Sequence, residues 1–193
     1  MLTGGPDGGE DNFRLEVGYG VSGHTRIAAV AEFEKEVGDP RKLEAIGFEV
    51  IQNVGRVGPI DVAVYGEVEI VPNGTEAVES KLLLEYRSRL TDVRFNLKAE
   101  KPLDSTLPTQ LGYAASADVA VAENLRLGVT AFGDLGTVSR FAPYAEHFAG
   151  PTAKFRIKGL GAPLKVETGY MFALGAAKAD AKGMFRLNLE LEM

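Results

Sequence analysis

Cysteine and tryptophan are both absent from the 193 residues, and histidine occurs only twice. No disulfide framework or cysteine-based metal site can form, and the redox compartment stays unconstrained. A basic surplus is also missing: the formal charge is −6 and no polybasic segment occurs. That argues against a nucleic-acid partner, which needs a basic face. Long hydrophobic runs are lacking too, the longest being a few residues against the roughly 18 of a membrane helix. A transmembrane barrel carries no such run either, so this decides nothing between membrane and solution. The first twelve residues are rich in Gly and Asp and lack the charged and apolar regions of a secretory signal. An exported protein would have lost its signal ahead of this stretch, and that is the reading favoured below.

What the chain has instead is a two-residue apolar/polar alternation that returns in segment after segment. In the last one Phe185, Leu187, Leu189, Leu191 and Met193 alternate with Arg186, Asn188, Glu190 and Glu192. Period two places such sets on opposite faces of a strand. Eleven strands are predicted, at 12–21, 26–36, 42–53, 59–71, 78–89, 92–101, 109–120, 124–134, 149–158, 163–175 and 183–193. Turn signals separate them, among them Ser22-Gly23, Gly38-Asp39-Pro40, Pro72-Asn73-Gly74, Glu123-Asn124 and the stretch 159–163. No segment has helical period, and the Ala-rich stretch 114–122 reads as strand and turn. Consecutive strands on short loops predict an all-β, antiparallel, up-and-down barrel in one domain over 1–193, with 1–11 as a flexible N-terminal segment. Short connections near Ser22, Thr91, Glu123 and Gly161 tend to alternate with longer ones at 102–108 and 135–148. Outer-membrane barrels have this sidedness.

The apolar face collects Leu15, Val17, Tyr19, Val62, Val64, Leu82, Leu127, Val129, Phe155 and Phe172. Barrel size decides where it points. About eight strands enclose a space that side chains fill, whereas wider barrels need a channel, a plug or a central helix. With ten to twelve strands and no spare helix, an apolar interior would be an unfilled cavity, while a charged interior can hydrate or pair across the lumen. The charges are therefore placed inside and the apolar face in lipid, where closure of the sheet satisfies every backbone group. Phe13, Phe33, Tyr86, Phe95, Phe155, Phe172 and Phe185 lie on the apolar face near strand ends, where interfacial girdles would put them.

The predicted lumen-lining residues are Glu32, Glu34, Glu67, Glu69, Glu85, Arg87, Arg94, Lys98, Arg126, Asp134, Lys154, Arg156, Lys165, Glu167 and Arg186. Basic residues concentrate on two hairpins, acidic ones on the early strands. Two readings stay open: a transverse field that orients polar solutes, or a cross-lumen ion-pair network that fills the barrel. No catalytic residue, metal or cofactor is expected. Only two histidines exist, and Glu146-His147 with Asp134 and Ser139 is the single imaginable acid/base set. An outer-membrane hydrolase using His147 is thus one alternative, and a soluble barrel around a hydrophobic ligand is another.

Several stretches carry a resemblance: Leu15-Glu-Val-Gly-Tyr-Gly-Val-Ser, Ala31-Glu-Phe-Glu-Lys-Glu, Phe132-Gly-Asp-Leu-Gly136, Glu146-His-Phe-Ala-Gly-Pro151 and Gly169-Tyr-Met-Phe-Ala-Leu-Gly175, with the closing alternation. In these the chain resembles outer-membrane β-barrel proteins of proteobacteria, sphingomonads among them, near the outer-membrane proteins attributed to phenol degradation. The resemblance implies a bacterial outer-membrane location and a porin-like shape, and the family has no settled substrate; a lipid bilayer or detergent is the expected partner, with small polar solutes as candidates. It also implies a further strand ahead of the one at 12–21 that is expected to be missing here, where only a Gly/Asp-rich loop remainder precedes, so that eleven strands plus one lost make the even count of twelve.

Overall fold

The computed structural model describes residues 2–4, 11–36, 38–72, 74–142, 145–158, 162–179 and 181–191. Its strands are β1 (Leu2–Gly4), β2 (Asp11–Gly20), β3 (Thr25–Lys35), β4 (Lys42–Val57), β5 (Ile60–Ile70), β6 (Ala77–Arg87) and β7 (Thr91–Pro102), then β8 (Gln110–Ala122), β9 (Leu125–Thr137), β10 (Arg140–Phe141), β11 (Glu146–Ile157), β12 (Leu164–Gly175) and β13 (Gly183–Leu191). One 3-10 turn, Ala176–Ala179, is the sole helical element among the described residues. Each predicted strand is present, within a few residues at its ends, and the Ala-rich stretch lies in β8 and the turn after it. The turn signals at Asn73 and 159–161, and the last two residues of the closing alternation, lie outside the described residues.

Every strand pairs antiparallel with its chain neighbour, β9 passing over the two-residue β10 to reach β11. β1 lies between β13 and β2, which brings the sheet round on itself as a ring of twelve. Its register sets Leu2, Thr3 and Gly4 opposite 185–187 on one side and 11–13 on the other. The twelfth strand is thus found within the segment expected to be a flexible lead-in; residues 1 and 5–10 of that segment lie outside the described residues.

Connection lengths alternate without exception. After β2, β4, β6, β8 and β11 they are four, two, three, two and six residues; after β3, β5, β7, β9 and β12 they are six, six, seven, eight and seven. One end of the barrel is therefore a rim of short turns and the other a rim of longer loops. The tightest turn, Gly58-Pro59, places Gly58 at φ +60°, a conformation that costs glycine nothing. In the loop 103–109, Asp104 accepts hydrogen bonds from the backbone N–H of Thr106 (2.8 Å) and its hydroxyl (2.7 Å). The backbone bond foremost holds the Asp104 carboxyl below the usual carboxylate range.

Period two sorts the side chains by face. Leu15, Val17 and Tyr19 of β2 are 53, 70 and 72 % exposed on the outside, while Arg14 and Glu16 between them point in. Along β4, Ala45 and Glu49 are buried on the inner side while Ile46, Phe48 and Val50 stand outside. A bulge between Asn53 and Gly55 inserts one residue into β4, with Gly55 at φ +128°. The insertion shifts the alternation, so that Arg56 turns inward to meet Asp61 across the strand pair at 2.8 Å. Among the outer aromatics, Phe13 and Phe33 pack with ring centroids 6.0 Å apart at the long-loop end. Phe172 and Phe185 share that end, Tyr86 and Phe155 lie by the short turns, and Phe95 stands mid-strand.

Candidate functional site

The inner face is the chemically distinctive surface, and its charges fall into two levels. The upper level surrounds a cavity of about 1210 Å³ at the short-turn end, lined from β4 round to β13. Nearly every charge there has an opposite partner on an adjacent strand. Glu85 and Asp92 are shared by Arg87 and Arg94, with Arg94 Nε 3.0 Å from Glu85 and its Nη2 3.1 Å from Asp92. Asp118, 3 % exposed, takes Arg126 and Lys154, the latter at 2.8 Å. Lys154 also stands 3.7 Å from Glu167, and Lys165 pairs with Glu190 at 3.2 Å.

One inward position further from the short turns, the residues form a floor. Arg14 extends from β2 to Glu32 on β3 (2.6 Å) and on to Glu49 of β4 (3.1 Å), with Glu67 of β5 at 3.9 Å. The Tyr65 hydroxyl sits between Glu49 (2.7 Å) and Glu67 and donates its one proton to either. Lys81 lies 4.1 Å over the Tyr65 ring and 2.5 Å from Glu79, which Lys98 reaches at 2.6 Å. Inward Val30, Ala45 and Met171 are 2, 1 and 0 % exposed. Their long inward neighbours cover these side chains, which narrows the lumen at this height. Facing strands β8, β9, β11 and β12 contribute small inner residues here, Ser116, Gly128, Thr130, Thr152 and Gly169, which leaves room for the long side chains from the opposite wall. A Cβ on Gly169 would come within 2.7 Å of Met171 Cε and 2.8 Å of Thr152 Cγ2.

All fifteen predicted lumen residues lie on the inner face by register. Glu32, Glu67 and Lys98 belong to the floor network; Glu85, Arg87, Arg94, Arg126, Lys154, Lys165 and Glu167 to the upper ion pairs. Glu34 and Glu69 continue the acidic row toward the long loops, Glu69 opposite Gly47. Asp134 stands opposite Gly112 and is exposed at that end. Arg156 and Arg186 are inward but form no ion pair among the described residues; the Arg186 guanidinium lies 5.9 Å from the Phe132 ring. Sequence reading missed Glu49, Tyr65, Glu79, Lys81, Asp92 and Asp118 as lumen residues. Counting by twos from Glu67 or from Arg94 would have found Tyr65 and Asp92.

The imagined acid/base set is not assembled. His147 lies on the outer face against the Tyr113 ring, centroids 5.8 Å apart, across Gly133. Glu146 and Asp134 point to the other side of the same sheet, and Ser139 bonds Thr137 in the turn. Among the described residues no group of three or more His, Cys, Asp or Glu is arranged to hold a metal ion, and no helix is long and apolar enough to cross a membrane.

Fold and site together define a class: an up-and-down antiparallel β-barrel, apolar outside and charged within. No protein-family model matches the chain, and no curated protein matches it either.

Proposed function

We propose that this chain is a transmembrane β-barrel of the bacterial outer-membrane type, a low-conductance passive channel for small polar solutes whose lumen is narrowed at mid-height in the present conformation. The observation that carries the reading is the outer face. Soluble monomers rarely expose contiguous apolar surface beyond a few hundred Å², yet Val17, Phe48, Val129 and Leu189 are each more than half exposed on a face of like residues that continues round the barrel. Hydrocarbon is the solvent that such a face suits, and antiparallel closure is what hydrocarbon requires of strands. The rims support the same reading, since outer-membrane barrels combine short turns at one end with longer loops at the other. A soluble barrel around a hydrophobic ligand would need an apolar interior, whereas seven carboxylates and seven Lys or Arg side chains line the cavity here, beside apolar residues such as Ile51 and Leu83.

Purification with and without detergent, followed by planar-bilayer recording, tests the proposal. The expected result is precipitation without detergent, recovery of heat-modifiable β-structure in micelles, and small, intermittent conductance steps. A clean detergent-free monomer overturns the membrane reading. A folded, inserted barrel that never conducts reduces it to a structural barrel.

A further inference from the structure

We infer that the cavity at the short-turn end is a binding site for a small organic anion, a mono- or dicarboxylate, held by Arg156 and Arg89. The inference deepens the channel reading by naming the class of solute the lumen admits. It rests on the cavity at the barrel mouth rather than on residence in a membrane.

Charge accounting around the cavity carries it. The carboxylates lining it are Asp61, Glu85, Asp92, Asp118, Glu123, Glu167 and Glu190, and each is already within 4 Å of a Lys or Arg. The cations divide differently. Arg87, Arg94, Arg126, Lys154 and Lys165 are consumed by those pairs, as are Arg56 and Lys158 at the rim. Arg156 and Arg89 line the same cavity and form no ion pair among the described residues. The lining itself holds seven carboxylates and seven cations, and because Arg56 and Lys158 at the rim occupy Asp61 and Glu123, two guanidiniums are left over.

The backbone brings the two residues to one sector of the rim. Arg126 Nη2 donates to the Leu90 carbonyl at 3.2 Å, and Ala120 N–H donates to the same oxygen at 2.8 Å. These bonds draw the turn that carries Arg89 across β8 toward β9. Arg126 stands opposite Lys154 in register, and Arg156 is the next inward residue of β11 toward the rim. A guanidinium presents paired N–H donors that match a carboxylate. The floor below is rich in carboxylates, which makes the cavity above it the place where an anion dwells.

The test is uptake of radiolabelled succinate by equilibrium dialysis against the barrel folded in a non-ionic detergent, so that no phosphate headgroup competes. About one succinate per barrel is expected, released by raised salt. Arg156→Gln and Arg89→Gln should each weaken uptake about tenfold, and the double variant should abolish it. Lys158→Gln, at a rim lysine already paired with Glu123, should leave it unchanged. Equal uptake by the wild type and the double variant overturns the inference, and so does no uptake by a wild-type barrel whose circular dichroism shows intact β-structure. A barrel that binds succinate yet never conducts would fail the channel reading while leaving this one standing.

Discussion

Asp118 holds two cations from two neighbouring strands while almost wholly excluded from water. Removing its charge strands both partners in the lumen wall, and breaking a buried pair in this way typically costs about 3–5 kcal/mol. Asp118→Asn is therefore expected to lower the urea unfolding free energy of the vesicle-folded barrel by about that amount. Glu123 makes a geometrically similar contact with Lys158 at 3.1 Å, but the two side chains are 84 and 61 % exposed. Water already solvates such a pair, so Glu123→Gln should cost less than about 1 kcal/mol. The two variants measured side by side separate burial from mere proximity. These partnerships were not legible in the sequence. Alternation placed Arg126 and Lys154 inward and missed Asp118, and only the register of three strands brings the three to one point.

At the scale of the strand, alternation was nearly sufficient. Eleven elements and both faces could be read because each strand has one lipid- or solvent-facing side and one charged side, and a slip of one residue would exchange them. β1 and β10 escaped because three or two residues display no period. Tyr65 escaped because an aromatic residue reads as apolar until its hydroxyl is seen between two carboxylates. The face assignment has a direct test in β5 and β9. Val64→Arg and Leu127→Arg place a charge outside, and each should cost about 2–4 kcal/mol at a bilayer midplane, read as loss of heat-modifiable folded barrel in vesicles. Normal assembly of both would count heavily against lipid on this face. The seam can be tested as sharply, because the chain has no cysteine of its own. Positions 2 and 187 are register partners, and antiparallel partners lie roughly 4.5–5.5 Å apart at Cα, within disulfide range. Cysteines placed there should cross-link within one molecule under mild oxidation, seen as faster migration without reductant; no cross-link would mean that β1 does not close the ring.

Across the whole molecule, charge is graded along the barrel axis more than across it. The short-turn mouth has cations to spare, whereas the floor joins Glu16, Glu32, Glu49, Glu67, Glu79 and Glu100 to only Arg14, Arg26, Lys81 and Lys98. Arg14 is the side chain that ties β2 to β4 and β5 across this level. Arg14→Ala is expected to open the lumen there and raise single-channel conductance severalfold over the wild type; unchanged conductance would place the constriction elsewhere. Among the described residues the seam is held by three register pairs on each side of β1, whereas every other junction of the ring is paired at nine or more positions. Local opening begins where the fewest backbone bonds must break together. The amides of β1 and of the strand ends it joins are therefore expected to exchange with solvent ahead of the rest of the ring, which makes this junction the place where the barrel unzips.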